Sequence, residues 1–357
     1  MVVLIGLGRN AGVAVVGELL TRLDDLPGFL IKVVVKHATS VEIAGLEALA
    51  VDSGLAGGWR LANPDDIVPA MTQDRLAASL DIDRASPGEI VRIIQEQDAL
   101  VAAAVAAQAD RIAQAIDQIT DRLAHGGHLF YAGAGTSGRI ALLDASELQP
   151  TFGIDPTLVR VIMAGGDRAF TTAVEGAEDD EDAAIAAINE SVKAEDAVVG
   201  IAASGTTPFT VTAIRRANML GALTVGVTST PNSPLAADAD IAIEAITGPE
   251  VIMGSTRMKS GTAQKMILNT ISTGVMIRLG RVYSNLMIDM PATNEKLRSR
   301  AVRMVELAAN VTRPMAVQAI RDADGNVRLA VVIAKKRLSA DEARELLATR
   351  SLGELLS

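Results

Sequence analysis

Two short loops place glycines beside hydroxyls in a way that suits an anion. One reads Gly133-Ala134-Gly135-Thr136-Ser137-Gly138 and the other Ala203-Ser204-Gly205-Thr206-Thr207. Glycine lets backbone N–H groups approach a ligand, and the hydroxyls add donors, so each loop offers what a phosphomonoester needs. Neither loop contains lysine, which excludes a triphosphate-binding P-loop. Serine and threonine also cap helices, and for either loop taken alone capping is as good a reading as phosphate. Two such loops, both at strand ends, favour phosphate. Gly133, Gly135 and Gly138 also meet the dinucleotide spacing, with Asp167 as ribose acid. Asp167 lies further on than the roughly 20 residues that scheme expects, and the second loop would have no task in it.

Two glutamates are candidates for proton transfer. Glu147 closes Leu143-Asp144-Ala145-Ser146-Glu147, and Glu178 sits in Val174-Glu175-Gly176-Ala177-Glu178-Asp179-Asp180. Acids at a helix start commonly do no more than offset the dipole. That covers Asp179, Asp180 and Glu181 better than Glu178, which follows a glycine turn. Glu147 and Glu178 therefore stand as a candidate general acid–base pair. The histidines (His37, His125, His128) have no metal-ligand spacing, and the absence of cysteine excludes thiol nucleophiles and Cys-ligated zinc. No metal and no cofactor is expected.

The elements that must hold these residues follow from the apolar pattern. Strands are expected at His128–Ala132, Val159–Met163, Ala197–Ala202, Leu223–Val227 and Ile241–Ile246. Helices are expected between them at Arg139–Glu147, Asp179–Ile188 and Phe209–Met219. This alternation predicts an α/β fold with a parallel sheet wrapped on both faces, whose strand ends carry the ligand loops. Ser86-Pro87-Gly88-Glu89 reads as a helix start, followed by an Ala-rich amphipathic stretch to about Leu123 that neither Gly nor Pro interrupts. A helical stretch over Thr256–Leu279 closes the core. Beyond Asn294 the chain reads as all-helical, with Ser339–Leu347 and Leu352–Leu356 forming a small C-terminal bundle. Upstream, Val2–Ile5, a helix over Ala11–Leu23 and Ile31–Val35 make a strand–helix–strand fragment with too little sheet to stand alone. An ordinary tight turn explains Gly6 and Gly8. The expected organisation is an extension over 1–70, a catalytic domain with an N-terminal helical arm over 71–295, and a helical segment over 296–357.

Composition sets the limits. The 357 residues are 49% hydrophobic but only 2% aromatic, so the core is aliphatic and stacking platforms are scarce. A net charge of −10 opposes binding to nucleic acid. No apolar run reaches the roughly 18 residues of a membrane span, and Met1–Gly6 lacks the basic start of a signal peptide. A soluble cytoplasmic protein without nucleic-acid or membrane partners is the expectation.

The motifs resemble a known family. Gly133–Arg139 with Asp144-Ala145-Ser146-Glu147, Val174–Asp179, Gly200–Gly205, and Gly254-Ser255-Thr256-Arg257-Met258-Lys259 with Gly261–Lys265 are similar to the N-acetylmuramic acid 6-phosphate etherases, of the sugar isomerase (SIS) superfamily. The resemblance runs from about Met71 to the C-terminus. It implies a homodimer with a five-stranded parallel SIS sheet flanked by helices, and a ubiquitin-associated-like helical segment at the C-terminus. It also implies a lyase that cleaves the D-lactyl ether of N-acetylmuramic acid 6-phosphate to N-acetylglucosamine 6-phosphate and D-lactate, during cell-wall sugar recycling. The family's two active-site glutamates fall on Glu147, as acid to the lactyl oxygen, and Glu178, as base at C2. Gly135, Thr136, Ser137, Ser204, Gly205, Thr206 and Thr207 form the substrate cradle. Arg257 or Lys259, heading a helix where a cation opposes the dipole, is expected to lend its charge to the neighbouring subunit's site. The stripe Met258, Ala263, Met266, Ile267, Ile271, Val275 and Met276 behind them is a core face or a subunit face. Thr206 stands where the family usually has Arg, and Leu148-Gln149 where it commonly has Cys-Pro. Residues 1–70 fall outside the pattern. A sugar-phosphate sensor like the glucokinase regulatory protein, or an SIS aldose–ketose isomerase, is the competing reading.

Overall fold

The computed structural model describes residues 72–356, together with the backbone of two short strands upstream, β1 (Leu4–Gly6) and β2 (Lys32–Val34). These two pair in parallel, as a strand–helix–strand fragment requires. The helix expected over Ala11–Leu23, and Gly8, lie outside the described residues. The chain divides into two compact units, Met1–Asp66 and Ile67–Ser357.

The larger unit is built on a parallel five-stranded sheet of β3 (Leu129–Gly133), β4 (Val159–Met163), β5 (Ala197–Ile201), β6 (Leu223–Thr228) and β7 (Ile241–Glu244), in the order β4-β3-β5-β6-β7. Strands β3, β5 and β6 are buried throughout, which is why they read as short runs with no charged residue. Alternate residues feed opposite layers. Leu129, Tyr131, Val199 and Val225 join one core, and Phe130, Ala132 and Val198 join another. The first core is covered by α3 (Ala109–Ala124), α4 (Gly135–Phe152) and α8 (Lys259–Arg278). The second is covered by α5 (Glu181–Ser191), α6 (Pro208–Leu220) and α7 (Pro234–Asp238), the last of which the apolar pattern did not mark. From β3 the chain steps outward to β4, then crosses back to β5 and continues to β7. The order reverses between β3 and β5, and such a crevice is where open α/β sheets bind ligands.

The N-terminal arm starts where expected. In α1 (Pro87–Asp98) Ser86 and Glu89 form a reciprocal capping box. The uninterrupted stretch beyond is nevertheless three helices, α1, α2 (Val101–Ala106) and α3, with a 57° bend between the last two. The bend at Gln108 has a tertiary cause: its Oε1 accepts from the backbone N–H of Glu244 at 3.2 Å, pinning the chain to the end of β7. No single described helix is long and apolar enough to cross a membrane.

The C-terminal segment is helical as expected. It comprises α9 (Glu295–Ala309), α10 (Arg313–Asp322), α11 (Val327–Lys336), α12 (Ala340–Thr349) and α13 (Leu352–Leu356), around a separate core of Val305, Ala316, Ala330 and Leu352. Arg328 of α11 donates from Nε and Nη2 to the two oxygens of Asp289, each at 2.7 Å, fastening this bundle to the segment that follows the sheet domain.

Candidate functional site

Both glycine–hydroxyl loops lie at the β3/β5 crevice, but the first is not a loop that precedes a helix. Helix α4 begins at Gly135, well before the expected Arg139, so Gly135, Thr136 and Ser137 are its first turn and their N–H groups point outward from a helix N-terminus. The capping residue is Ala134, which has no side-chain donor or acceptor. Gly135 has φ +53°, and a Cβ on Gly138 would fall 2.1 Å from Met163 Sδ, so the turn presses closely onto β4. Among the described residues, the hydroxyls of Thr136 and Ser137 make no hydrogen bond, which leaves them open to a ligand.

The second loop is held in shape by its neighbours. Gly205 has φ +66°, and a Cβ there would lie 2.1 Å from Ser233 Oγ. Ser204 Oγ accepts from Thr206 N (3.2 Å) and Thr206 Oγ1 (3.0 Å). Thr207 occupies the cap position of α6, yet its side chain makes no capping bond. Helix capping therefore accounts for neither loop. Beneath lies a third run of hydroxyls that sequence reasoning passed over. Thr228 and Thr230 are buried, and both donate to the carbonyl of Ala203, at 3.2 Å each. The signal was present as Thr228-Ser229-Thr230-Pro231-Asn232-Ser233 directly after a strand.

Glu178 is brought to the same end of the sheet. It lies in a 3-10 turn, Ala177–Asp179, because α5 starts only at Glu181, with Asp180 Oδ1 accepting from Ala183 N at 2.8 Å. A Cβ on Gly165, just past β4, would lie 3.1 Å from Ala177 Cβ, so the turn packs on the β4 end. Arg139 of α4 anchors the same connection, donating to the carbonyls of Ala169 (2.9 Å) and Phe170 (3.2 Å). Thr212 of α6 donates to Glu181 Oε2 at 2.7 Å from the other side. The Glu178 side chain is exposed.

The Ser255–Lys259 segment joins this cluster within the same chain, since a Cβ on Gly261 would lie 3.4 Å from Thr256 O and 3.8 Å from Thr136 Cγ2. Its two cations part company. Arg257 is exposed and pairs with no carboxylate among the described residues. Lys259 is 1% exposed, its Nζ donating to Gln97 Oε1 of the arm at 2.9 Å. Burial pushes its pKa down, against the opposing pull of Glu250 and Asp98. The fully buried Glu250 accepts from the N–H groups of Lys259 and Ser260, at 3.0 Å each, and so supplies the anion that a helix N-terminus favours. The stripe behind them is a core face: Ala263, Ile267, Ile271, Val275 and Met276 are buried within the chain.

Glu147 is not brought to the hydroxyls of its own chain. It is exposed, ten residues along α4 from Ser137, which at ~1.5 Å per residue is ~15 Å of helix. One turn before it, Asp144 is 4% exposed and holds three elements together. Its carboxylate accepts from Tyr131 Oη of β3 (2.8 Å), and from Asn269 Nδ2 (2.6 Å) and Ser272 Oγ (3.0 Å) of α8. Burial and the Asp144 charge push the Tyr131 phenol well above its ordinary pKa, which keeps it a donor.

A five-stranded parallel sheet between helix layers, with two open hydroxyl turns at its switch point, is the architecture of an SIS domain. Accordingly, the SIS domain matches residues 170–273, and the glucokinase regulatory protein N-terminal SIS domain matches residues 111–218. The N-acetylmuramic acid 6-phosphate etherase of Symbiobacterium thermophilum is 56% identical over 262 residues, 73% of this chain and 87% of the relative. That of Caldanaerobacter subterraneus is 49% identical over 278 residues, covering 78% and 91%. Among solved structures, a phosphoheptose isomerase from Francisella tularensis matches with a TM-score of 0.45 and 20% identity, over 54% of this chain and 98% of that one. The chain belongs to the N-acetylmuramic acid 6-phosphate etherase family.

Proposed function

We propose that the chain is a lyase that removes the lactyl group of N-acetylmuramic acid 6-phosphate, giving N-acetylglucosamine 6-phosphate and D-lactate. Family membership supports the reaction, and the two open hydroxyl turns at the β3/β5 crevice are the observation that supports the substrate class. Gly135, Thr136, Ser137, Ser204, Gly205, Thr206 and Thr207 bind the 6-phosphate, with α4 and α6 adding their N-terminal N–H groups. Arg257 supplies the full positive charge that the turns lack. The exposed position of Arg257 favours it over Lys259, whose ammonium is occupied by Gln97 in its own chain.

The chemistry needs an acid and a base but no redox partner. With the sugar ring open, the C2 proton is α to an aldehyde. Glu178 removes it, the C3–O bond breaks, and Glu147 gives a proton to the departing lactyl oxygen. The pair of electrons from C2–H becomes the C2–C3 double bond. Water then adds at C3 and a proton returns to C2, so the sugar ends with hydroxyl where the ether stood. Each assisted proton transfer contributes about 10²–10⁴-fold.

The position of Glu147 argues for a homodimer. A hexose 6-phosphate seated on Ser137 does not reach ~15 Å down α4 to a carboxyl of the same chain. A site combining the hydroxyl turns and Glu178 of one subunit with Glu147 of its partner satisfies both halves of the substrate. A phosphorylated sugar does not cross a bilayer unaided and is retained in the compartment where it is made, which supports a cytoplasmic reaction. Residues 71–295 carry the catalytic domain and its arm, 296–357 the helical segment, and 1–70 an extension. The glucokinase regulatory protein match keeps one rival specific: a sensor would bind the phosphosugar without releasing lactate. Incubating the purified protein with N-acetylmuramic acid 6-phosphate and assaying lactate decides between them.

A further inference from the structure

The substrate in this reading carries two anionic groups, the phosphate and the lactyl carboxylate, and the cradle accounts for the phosphate alone. On a chain of net charge −10, a second anion needs a local cation. The basic side chains around the site are mostly committed. Lys259 is buried against Gln97, and Arg139 is tied to the carbonyls of Ala169 and Phe170. Arg278, at the far end of α8, pairs with Asp117. Arg257 stands at the head of α8, beside the phosphate cradle. Lys265 is the remaining cation of α4 and α8, and it lies toward the Glu147 end of the same surface.

Helices α4 and α8 run side by side in the same direction. Thr136 and Ile140 face Gly261, and further down Asp144 meets Asn269 and Ser272. Lys265 sits on α8 and its side chain runs down this groove. Its Nζ donates to Asn269 Oδ1 at 2.5 Å, while Asn269 Nδ2 donates to Asp144 Oδ1 at 2.6 Å. The amide of Asn269 is thus fixed at both ends, oxygen toward the lysine and nitrogen toward the aspartate. Asp144 in turn is clamped by Tyr131 and Ser272. The ammonium is held in place by this buried set yet is itself exposed, and among the described residues it pairs with no carboxylate. Asp144 is one helical turn (~5 Å) from Glu147 on α4, so Lys265, Asn269, Asp144 and Glu147 follow one another along the groove.

We propose that Lys265, oriented by Asn269, binds the carboxylate of the lactyl group and so selects a sugar that carries one. In lactate the carboxylate is attached to the carbon bearing the ether oxygen. A cation on the former and an acid on the latter must therefore share one stretch of surface, and Lys265 and Glu147 both lie along the α4–α8 groove. Anchoring the carboxylate aims the leaving oxygen at Glu147. The assignment rests on the etherase reading and adds the group that distinguishes its substrate from other hexosamine 6-phosphates. Lys265 and Glu147 travel together on one chain, so the lactyl half of the substrate meets one subunit and the phosphate half its partner.

The test compares ligands that differ in the carboxylate. In Lys265→Gln, binding of N-acetylmuramic acid 6-phosphate should weaken about ten- to a hundredfold, the range for a hydrogen bond to a charged group. Binding of N-acetylglucosamine 6-phosphate, which has no carboxylate, should change by less than about twofold, and Lys265→Arg should recover most of the loss. The methyl ester of the lactyl carboxylate should bind the unsubstituted protein and Lys265→Gln alike. Equal weakening for both sugars, or no weakening for either, would overturn the assignment. Binding is read by calorimetry, with Glu178→Gln added to both the parent and the Lys265 variants to stop turnover. These outcomes therefore stand apart from the etherase reading, which fails if the unsubstituted protein releases no lactate.

Discussion

At the scale of single residues the mechanism rests on groups with unequal surroundings. Glu178 stands on a turn at the sheet end and Glu147 far down a helix, yet the proposed chemistry uses both. Glu147→Gln and Glu178→Gln should each lower lactate release by at least about a hundredfold, with phosphosugar binding retained by calorimetry. A variant turning over at the wild-type rate would remove that glutamate from the mechanism. The hydroxyls of Ser137 and Ser204 make a different prediction. The double replacement Ser137→Ala/Ser204→Ala should raise KM steeply, and N-acetylmuramic acid without phosphate should be a poor substrate for the unaltered protein; equal processing of both sugars would discount the cradle. Asp144 tests the support beneath. Its replacement by Ala would strand the donors of Tyr131, Asn269 and Ser272 inside the core, so a cost of about 3 kcal/mol or more is expected in denaturant unfolding.

At the scale of elements, the two turns are shaped by what lies under them. Gly205 combines φ +66° with contact to Ser233, so Gly205→Ala adds a left-handed penalty of ~1–2 kcal/mol to a steric clash. Its thermal midpoint should fall by several degrees and its KM should rise; an unchanged midpoint would mean that the loop relaxes at no cost. The strands were legible in the sequence because each is a short, mostly apolar run bounded by glycine or polar residues, and Val159–Met163 matches to the residue. What escaped depended on contacts distant in sequence. The bend at Gln108 follows from Glu244, 136 residues away, with no Gly or Pro to announce it. The early start of α4 turns Gly135–Ser137 from a loop into a helix end. Lys259 reads as a surface cation until Gln97 and Glu250 are brought around it. The candidate site was legible as a set of residue types, but which of them share a chain's own crevice was not, since that depends on α4 carrying Glu147 away from Ser137.

At the scale of the whole molecule, the separation of Glu147 from the cradle becomes a statement about assembly. Mixing inactive Glu147→Gln and Glu178→Gln proteins under conditions of subunit exchange should restore about a quarter of wild-type turnover. Half the two-fold dimers are then hybrids, each with one of two sites intact. No recovery despite proven exchange would place both glutamates in one subunit. The elimination itself is tested most directly by the fate of oxygen. For the reaction run in H2(18)O, the mechanism predicts the label on the C3 hydroxyl of N-acetylglucosamine 6-phosphate and none in the released D-lactate, because the C3–O bond is the one that breaks. Label in the lactate, with the C3 oxygen of the sugar unlabelled, would show cleavage on the other side of the ether oxygen and would contradict the mechanism.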